Sequence, residues 1–238
     1  AVRSGPVIVS RVAVTTTDDR ASTIERTLLA HQLEPVILPC IEVIAAPESV
    51  LDEVRSISAD ADSIVITSSR VVHLIWSSGG MPDVPVTAVG DSTAAAVEAA
   101  GGNMEMASHS GAGELIRKLA PTVAGRSVVF PHAAGADPST IESLEKAGAR
   151  VTAIPVYETR PIAPGLDPVD VVIFGSPSAI TGWRRSRGLD DLVVAVIGET
   201  TERALAEHGH EAHVIPGRPD YEALVIALGD YLRERSLA

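Results

Sequence analysis

The sequence predicts an α/β protein: two similar parallel-sheet domains joined by a two-stranded connector, with the first domain discontinuous. Three observations carry this expectation. Short β-branched runs alternate with helical patterns of about 10–15 residues, the arrangement of βαβ units around a parallel sheet. The strands are near-continuous apolar runs rather than alternating ones, as expected where helices cover both faces of a sheet. Finally, the chain repeats itself. A shift of 108 residues lays Asp62 on Asp170, Ser68 on Ser176, Gly90 on Gly198, Thr93 on Thr201 and Gly101 on Gly209. At an offset of 116–117, Ser22–Glu25 (STIE) matches Ser139–Glu142, and Leu38–Glu42 (LPCIE) echoes Ile154–Glu158 (IPVYE). One unit of about 115 residues is present twice.

The elements follow in order. Arg11–Thr16 (RVAVTT) reads as a strand, and Ser22–His31 as a helix through the spacing of Ile24, Leu28 and Leu29. Ser22 with Glu25, and Ser139 with Glu142, have the form of a capping box and predict two equivalent helix starts. Pro35–Val43 (PVILPCIEV) reads as one strand, and Ser63–Thr67 and Val86–Gly90 as two more, each leading into a helix. The second copy repeats the order with Ser127–Pro131, Val151–Glu158, Asp170–Phe174 and Val194–Gly198. Each copy therefore reads as a flavodoxin-like module. Boundaries fall near Pro39–Ile41 and in the Pro-rich stretch Thr159–Pro168. The expected division is residues 1–39 with 160–238 as domain 1, and 41–158 as domain 2. Two simple consecutive domains would show the same repeat.

Composition excludes several classes. The 238 residues carry 19 Lys+Arg against 31 Asp+Glu, a net charge of −12, with two Trp, three Tyr and two Phe. A nucleic-acid binder would show a basic stripe and stacking aromatics, and this chain has neither. Apolar runs such as Leu192–Gly198 stop far short of the ~20 residues a membrane helix needs. Ala1–Ser10, holding Arg3, Gly5 and Pro6, does not read as a secretory leader. One cysteine, Cys40, rules out an internal disulfide and makes a reducing, cytoplasmic setting the expectation.

In open parallel sheets, ligands bind beyond the carboxyl ends of the strands, where loops enter helix N-termini. Four such turns carry hydroxyls: Thr67–Ser69, Gly90–Thr93, Ser176–Ser178 and Gly198–Thr201. Their backbone N–H groups and helix dipoles favour anions by about 0.3–1 kcal/mol each. Two domains facing one cleft would turn several of these turns toward an acid-rich ligand. Plain N-capping accounts for each hydroxyl taken singly, and Ser176–Pro177 is an ordinary N-cap with Pro at the first helical position. His208, His210 and His213 fit neither a helix face nor a zinc spacing, so they read as loop histidines, and no metal site is expected. Gly111 and Gly113 lack a nucleotide-binding context. No G-x-S-x-G elbow is present. Cys40 reads as a small core residue. Tyr157 stands on the connector, either lining a cleft or packed with its hydroxyl satisfied.

Several segments together resemble one family. Thr67–Val72 (TSSRVV), Ala88–Gly101 (AVGDSTAAAVEAAG), Phe130–Gly135 (FPHAAG), Leu144–Thr159 (LEKAGARVTAIPVYET), Phe174–Ile180 (FGSPSAI) and Val196–Gly209 (VIGETTERALAEHG) are similar to uroporphyrinogen-III synthases. The resemblance runs from about Val12 to Leu232. It implies a cofactor-independent hydro-lyase of tetrapyrrole (haem) biosynthesis that cyclises the linear hydroxymethylbilane. The terminal hydroxyl is lost, closure passes through a spiro-pyrrolenine with inversion of ring D, and uroporphyrinogen III results. It also implies a monomer whose small-molecule partner is that linear tetrapyrrole, received from the preceding pathway enzyme.

By the same resemblance Tyr157 is the proton donor; a phenol, with a reference pKa of about 10, carries its proton at neutral pH. Ser68, Thr93, Ser176, Ser178, Thr200 and Thr201 match substrate-contacting positions. Arg70 lies near enough to Ser68 to reach an anion, and an exposed helix arginine is the alternative. Two departures stand out. Many bacterial members have an arginine where this chain has Thr16, and another where it has His132; both changes remove cationic contacts for a polyanion. An inactive tetrapyrrole-binding regulatory module and a two-lobed small-molecule-binding protein are therefore the competing expectations.

Overall fold

The computed structural model describes residues 10–108 and 117–237; Gly111, Gly113 and the first nine residues lie outside them. In chain order the elements are β1 (Arg11–Val14), α1 (Asp18–Ala30), β2 (Glu34–Ile37), β3 (Ile41–Ala45), α2 (Glu48–Ala59) and β4 (Ser63–Ile66). Next come α3 (Ser69–Trp76), β5 (Pro85–Val89), α4 (Asp91–Ala99), β6 (Asn103–Ser108), β7 (Ser127–Ala133) and α5 (Ser139–Lys146). The chain finishes with β8 (Arg150–Pro161), β9 (Val171–Phe174), α6 (Pro177–Trp183), β10 (Val193–Val196), α7 (Glu199–Glu207) and α8 (Tyr221–Leu237). They form two units: one is the chain up to Val43 together with the chain from Arg160, the other is Ile44–Thr159.

The first unit holds a sheet in the order β10-β9-β1-β2, every neighbour parallel. Strands β1, β9 and β10 are buried on both faces, so their successive residues enter different cores, while the edge strand β2 stays partly exposed. Val12 and Val14 pack with Ile24 and Leu28 of α1 and with Leu224 and Leu228 of α8. Ala13, between them, joins Phe174, Ile180, Trp183 and Leu205 on the opposite side. Each large side chain buried this way contributes about 1.5–3 kcal/mol. The first core fixes α1 and α8, and the second fixes α6 and α7.

The second unit holds β8-β7-β4-β5-β6, again parallel, with β3 flanking β8. The strand orders of the two units correspond. β7 and β8 take the places of β1 and β2, and β4 and β5 those of β9 and β10. β6 pairs beside β5 much as Val214 bridges Ala195 of β10. Val65, Val128, Phe130, Leu119 and Leu144 form a core of this unit.

Three local expectations need correction. The stretch Pro35–Val43 is two strands, β2 and β3, because Pro39 has no N–H to donate. Leu38 and Cys40 still donate to the carbonyls of Val14 and Thr15, at 3.0 and 2.9 Å. The capping boxes do not form. α1 starts at Asp18 with Thr17 as N-cap, so Ser22 lies within the helix. α5 has Pro138 as N-cap, and the Ser139 N–H donates to Asp137 Oδ1 at 2.8 Å. Asp137, two residues earlier, satisfies the donor in place of a Ser–Glu exchange.

The chain leaves the first unit along β3 and returns at the end of β8. Ile162 N donates to Cys40 O at 2.8 Å and Ala46 N to Val156 O at 2.9 Å. The partner falls from 162 to 156 as the other strand rises from 40 to 46, so this pairing is antiparallel. α6 presses directly on it. A Cβ on Gly182 would sit 1.9 Å from Cys40 O and 2.6 Å from Ile162 O, so only glycine fits there. The Cys40 thiol is fully buried, and burial pushes its pKa up to about 12 against the opposing pull of Arg187.

Candidate active site

Every residue singled out as a substrate contact stands at the carboxyl end of a parallel strand. In the second unit, β4 ends one residue before Thr67 and the chain turns into α3 through Ser68. Ser68 is a true N-cap: its Oγ accepts from the Arg70 N–H at 3.3 Å. The Tyr157 hydroxyl approaches the same oxygen, at 3.5 Å. Tyr157 lies on β8, two strands from β4 in the sheet, and a bulge brings it there. The β7–β8 register shifts between His132 and Ala133, pairing His132 with Pro155 but Ala133 with Tyr157. The extra residue re-aims the side chain, so Val156 and Tyr157 are both buried in succession.

Arg70 completes this group. Its guanidinium carbon lies 5.6 Å from the centre of the Tyr157 ring, over the face. It is only 9% exposed, so the alternative of a solvated helix arginine is overturned. A guanidinium withdrawn from water carries more electrostatic weight than a solvated one. Beside Tyr157 opens a recess of about 240 Å³ lined by Ile44, Ala45, Ala46, Ala134, Pro155 and Glu158. Thr93 lies one turn into the neighbouring helix start, after Gly90 (φ 84°), and is buried at 2%.

In the first unit, Ser176 caps α6, its Oγ accepting from the Ala179 N–H at 3.3 Å, and Pro177 occupies the first helical position. Ser176 Oγ and Ser178 Oγ are 3.0 Å apart. Thr201 is buried in the first turn of α7, whereas Thr200 beside it is exposed. The structure thus brings Ser68, Arg70 and Tyr157 together in one unit, and Ser176 with Ser178 in the other. Among the described residues no group of three or more His, Cys, Asp or Glu is placed to hold a metal ion. His213 is engaged otherwise, its Nδ1 accepting from the Val194 N–H at 3.1 Å.

One residue escaped the sequence reading. Tyr221 opens α8, and its hydroxyl lies against the backbone of Gly175, the residue before Ser176: a Cβ there would be 1.7 Å from the phenolic oxygen. The visible signal is the helix start Pro219-Asp220-Tyr221 together with a glycine where the first copy has Thr67.

A family model described as Uroporphyrinogen-III synthase HemD matches residues 22–226. The chain belongs to the uroporphyrinogen-III synthase family. Its similarity to the uroporphyrinogen-III synthase of Synechococcus elongatus is 28% identity over 184 residues, spanning 71% of this chain and 67% of that one. Two solved structures share the fold: the uroporphyrinogen-III synthetase of Helicobacter pylori and a mutant synthase from the extremely thermophilic bacterium Thermus thermophilus. The first has a TM-score of 0.65 at 19% identity and the second 0.62 at 16%, each covering 95% of this chain and all of the other. Within this synthase family member, the two departures from the pattern are both packed residues. Thr16 is 6% exposed, next to Thr15, whose hydroxyl donates to Ile173 O at 2.6 Å. His132 stacks on Phe130 at 5.2 Å, with its Nδ1 2.8 Å from Ala133 O.

Proposed function

We propose that this family member is an active uroporphyrinogen-III synthase, closing hydroxymethylbilane to uroporphyrinogen III with inversion of ring D and loss of water. The observation that carries the reading is the meeting of Tyr157, Ser68 and Arg70 beyond the carboxyl end of β4. Tyr157 donates its proton to the departing hydroxyl, which leaves as water. Ser68 fixes the phenol, and Arg70 supplies positive charge to a substrate carboxylate beside it. General acid assistance of this kind is worth about 10²–10⁴ in rate.

The larger task is regiochemical. The free bilane closes without inversion to the other isomer, so one folded shape of a flexible chain must be favoured. Orientation supplies about 7–11 kcal/mol in favourable intramolecular cases. The substrate carries eight carboxylates, and we assign Thr93, Ser176, Ser178, Thr200 and Thr201 as hydroxyl-bearing handles for them. Hydroxyls and helix N–H groups bind them without demanding a basic surface, which reconciles a polyanionic substrate with a net charge of −12. The steps are proton transfer and carbon–carbon bond exchange, and we assign them to side chains alone. We also read the two units as copies of one flavodoxin-like module, a reading supported by their matching strand orders.

Supplying hydroxymethylbilane, oxidising the products and separating the isomers tests the reading. Isomer III in excess is expected. Isomer I alone, at the spontaneous rate, would overturn it, and tight binding of the product in that case would favour a non-catalytic tetrapyrrole-binding module.

A further inference from the structure

We infer that Tyr221 is a further substrate-contacting residue, its phenol donating a hydrogen bond to a carboxylate held at the Ser176–Ser178 turn. This rests on the synthase reading above. Three observations support it. The backbone at Gly175 is left bare for this ring: a Cβ there would meet the hydroxyl oxygen at 1.7 Å and Cζ at 2.7 Å, so any side chain would expel the phenol. The placement also parallels the other unit. Tyr157 sets its hydroxyl at Ser68, and Tyr221 sets its own at the residue preceding Ser176, the counterpart of Ser68 under the 108-residue shift. The two tyrosines reach matching turns from different elements, a strand and a helix start. Position 113, which is 108 residues before Tyr221, is glycine, so repetition of the sequence did not copy this ring.

Third, the segment bearing Tyr221 is held in place. Asp220 Oδ1 accepts from the Ala223 N–H at 2.8 Å and its other oxygen pairs with Arg218. Burial alone would raise the Asp220 pKa; these two partners outweigh it and lower it, so the carboxylate stays ionised and engaged. Pro219 packs 3.4 Å from where a Cβ of Gly198 would lie, so residues 219–221 run beside the turns before both α6 and α7. Tyr221 is half-buried, so its ring is packed while the site remains reachable. The phenol lies against the backbone of Gly175, one residue before Ser176, whose hydroxyl stands 3.0 Å from that of Ser178; hydroxyls gathered around one turn are donors suited to a carboxylate.

Steady-state kinetics with hydroxymethylbilane on the native chain, Tyr221→Phe and Gly175→Ala test this. Tyr221→Phe removes the hydroxyl and keeps the ring. Gly175→Ala keeps the hydroxyl and displaces it. Both are expected to raise KM about tenfold, the loss of one hydrogen bond to a charged group, with kcat within about twofold of native. Binding of uroporphyrin, followed by fluorescence, should weaken in parallel. A purely structural role would lower the melting temperature of Tyr221→Phe and leave KM alone, which would overturn the inference. Native KM and native uroporphyrin affinity in Tyr221→Phe would do the same. If the native chain yields no isomer III, the synthase reading falls and takes this inference with it; native turnover with an indifferent Tyr221→Phe removes the inference only.

Discussion

Asp62 and Ser127 grip one another at the start of β4 and β7. Ser127 donates its N–H and its hydroxyl to Asp62 Oδ2, at 2.7 and 2.8 Å, while the Asp62 N–H returns a bond to Ser127 O at 3.0 Å. The same clasp joins β9 and β1 in the other unit. Arg11 N donates to Asp170 Oδ2 at 2.8 Å and Asp170 N to Arg11 O at 2.9 Å. Each sheet therefore has its two central strands pinned in register by one aspartate at the amino edge, opposite the end where the hydroxyl turns stand.

This clasp makes stability depend on acid. The Ser127 N–H and then its hydroxyl hold the Asp62 carboxyl below the usual carboxylate range of about 3.9. A carboxylate depressed in the folded state binds fewer protons there than in the unfolded chain, so stability rises with pH through that window. Its contribution is complete above about pH 5 and lost as pH falls through the folded pKa. Urea midpoints measured from pH 6 to pH 2.5 should fall less steeply at the acid end in Asp62→Asn than in the native chain. Parallel curves would show the carboxylate does not matter.

Removing the Tyr157 hydroxyl should lower kcat by about 10²–10⁴ and leave uroporphyrin affinity nearly unchanged. Ser68→Ala should have a mixed effect. It loses an N-cap, at about 1 kcal/mol of stability, and also loosens the phenol, so kcat drops along with the unfolding midpoint. Turnover by Tyr157→Phe at the native rate would take the proton-donor role away.

Gly182→Ala should destabilise the first unit by about 1–3 kcal/mol, the usual penalty for overpacking. A methyl group there would collide with the carbonyls of Cys40 and Ile162. Thermal melts comparing this variant with alanine at Gly217, where a Cβ would meet nothing, separate the collision from glycine's backbone effect. Equal melts would mean that α6 shifts freely.

Cys40 should resist alkylation in the folded protein. With its pKa pushed up to about 12 by burial, almost no thiolate exists at pH 8, and the sulfur donates to Leu38 O at 3.3 Å. Iodoacetamide labelling followed by mass spectrometry should track denaturant unfolding. Rapid labelling in buffer would contradict the packing around the connector.

How much of this was legible beforehand differs by length scale. Strands such as Val171–Phe174 declare themselves because burial on both faces demands an unbroken apolar run. Ser68 and Ser176 were readable as helix starts because capping is a local bargain between a hydroxyl and N–H groups two or three residues ahead. Ser22 misled for the same reason: the pattern was local, but the helix had already begun at Asp18. The burial of Arg70 and its seat over Tyr157 depend on a partner 87 residues away, and on a bulge that no spacing rule announces. Tyr221 stayed hidden because its meaning lies in the missing side chain of Gly175.

The discontinuity of the first unit also orders events on the ribosome. All strands of the Ile44–Thr159 unit have been translated once Pro161 is added, so that sheet is free to assemble while the rest is still being made. β1, by contrast, pairs Val12 with Val171, and this central ladder must wait for a strand made long after it. The β1–α1–β2 segment emerges well before β9 and β10 and is completed only by them, with its apolar faces uncovered in the interval. Any chaperone dependence of this fold should therefore concentrate on the segment of residues 11–37.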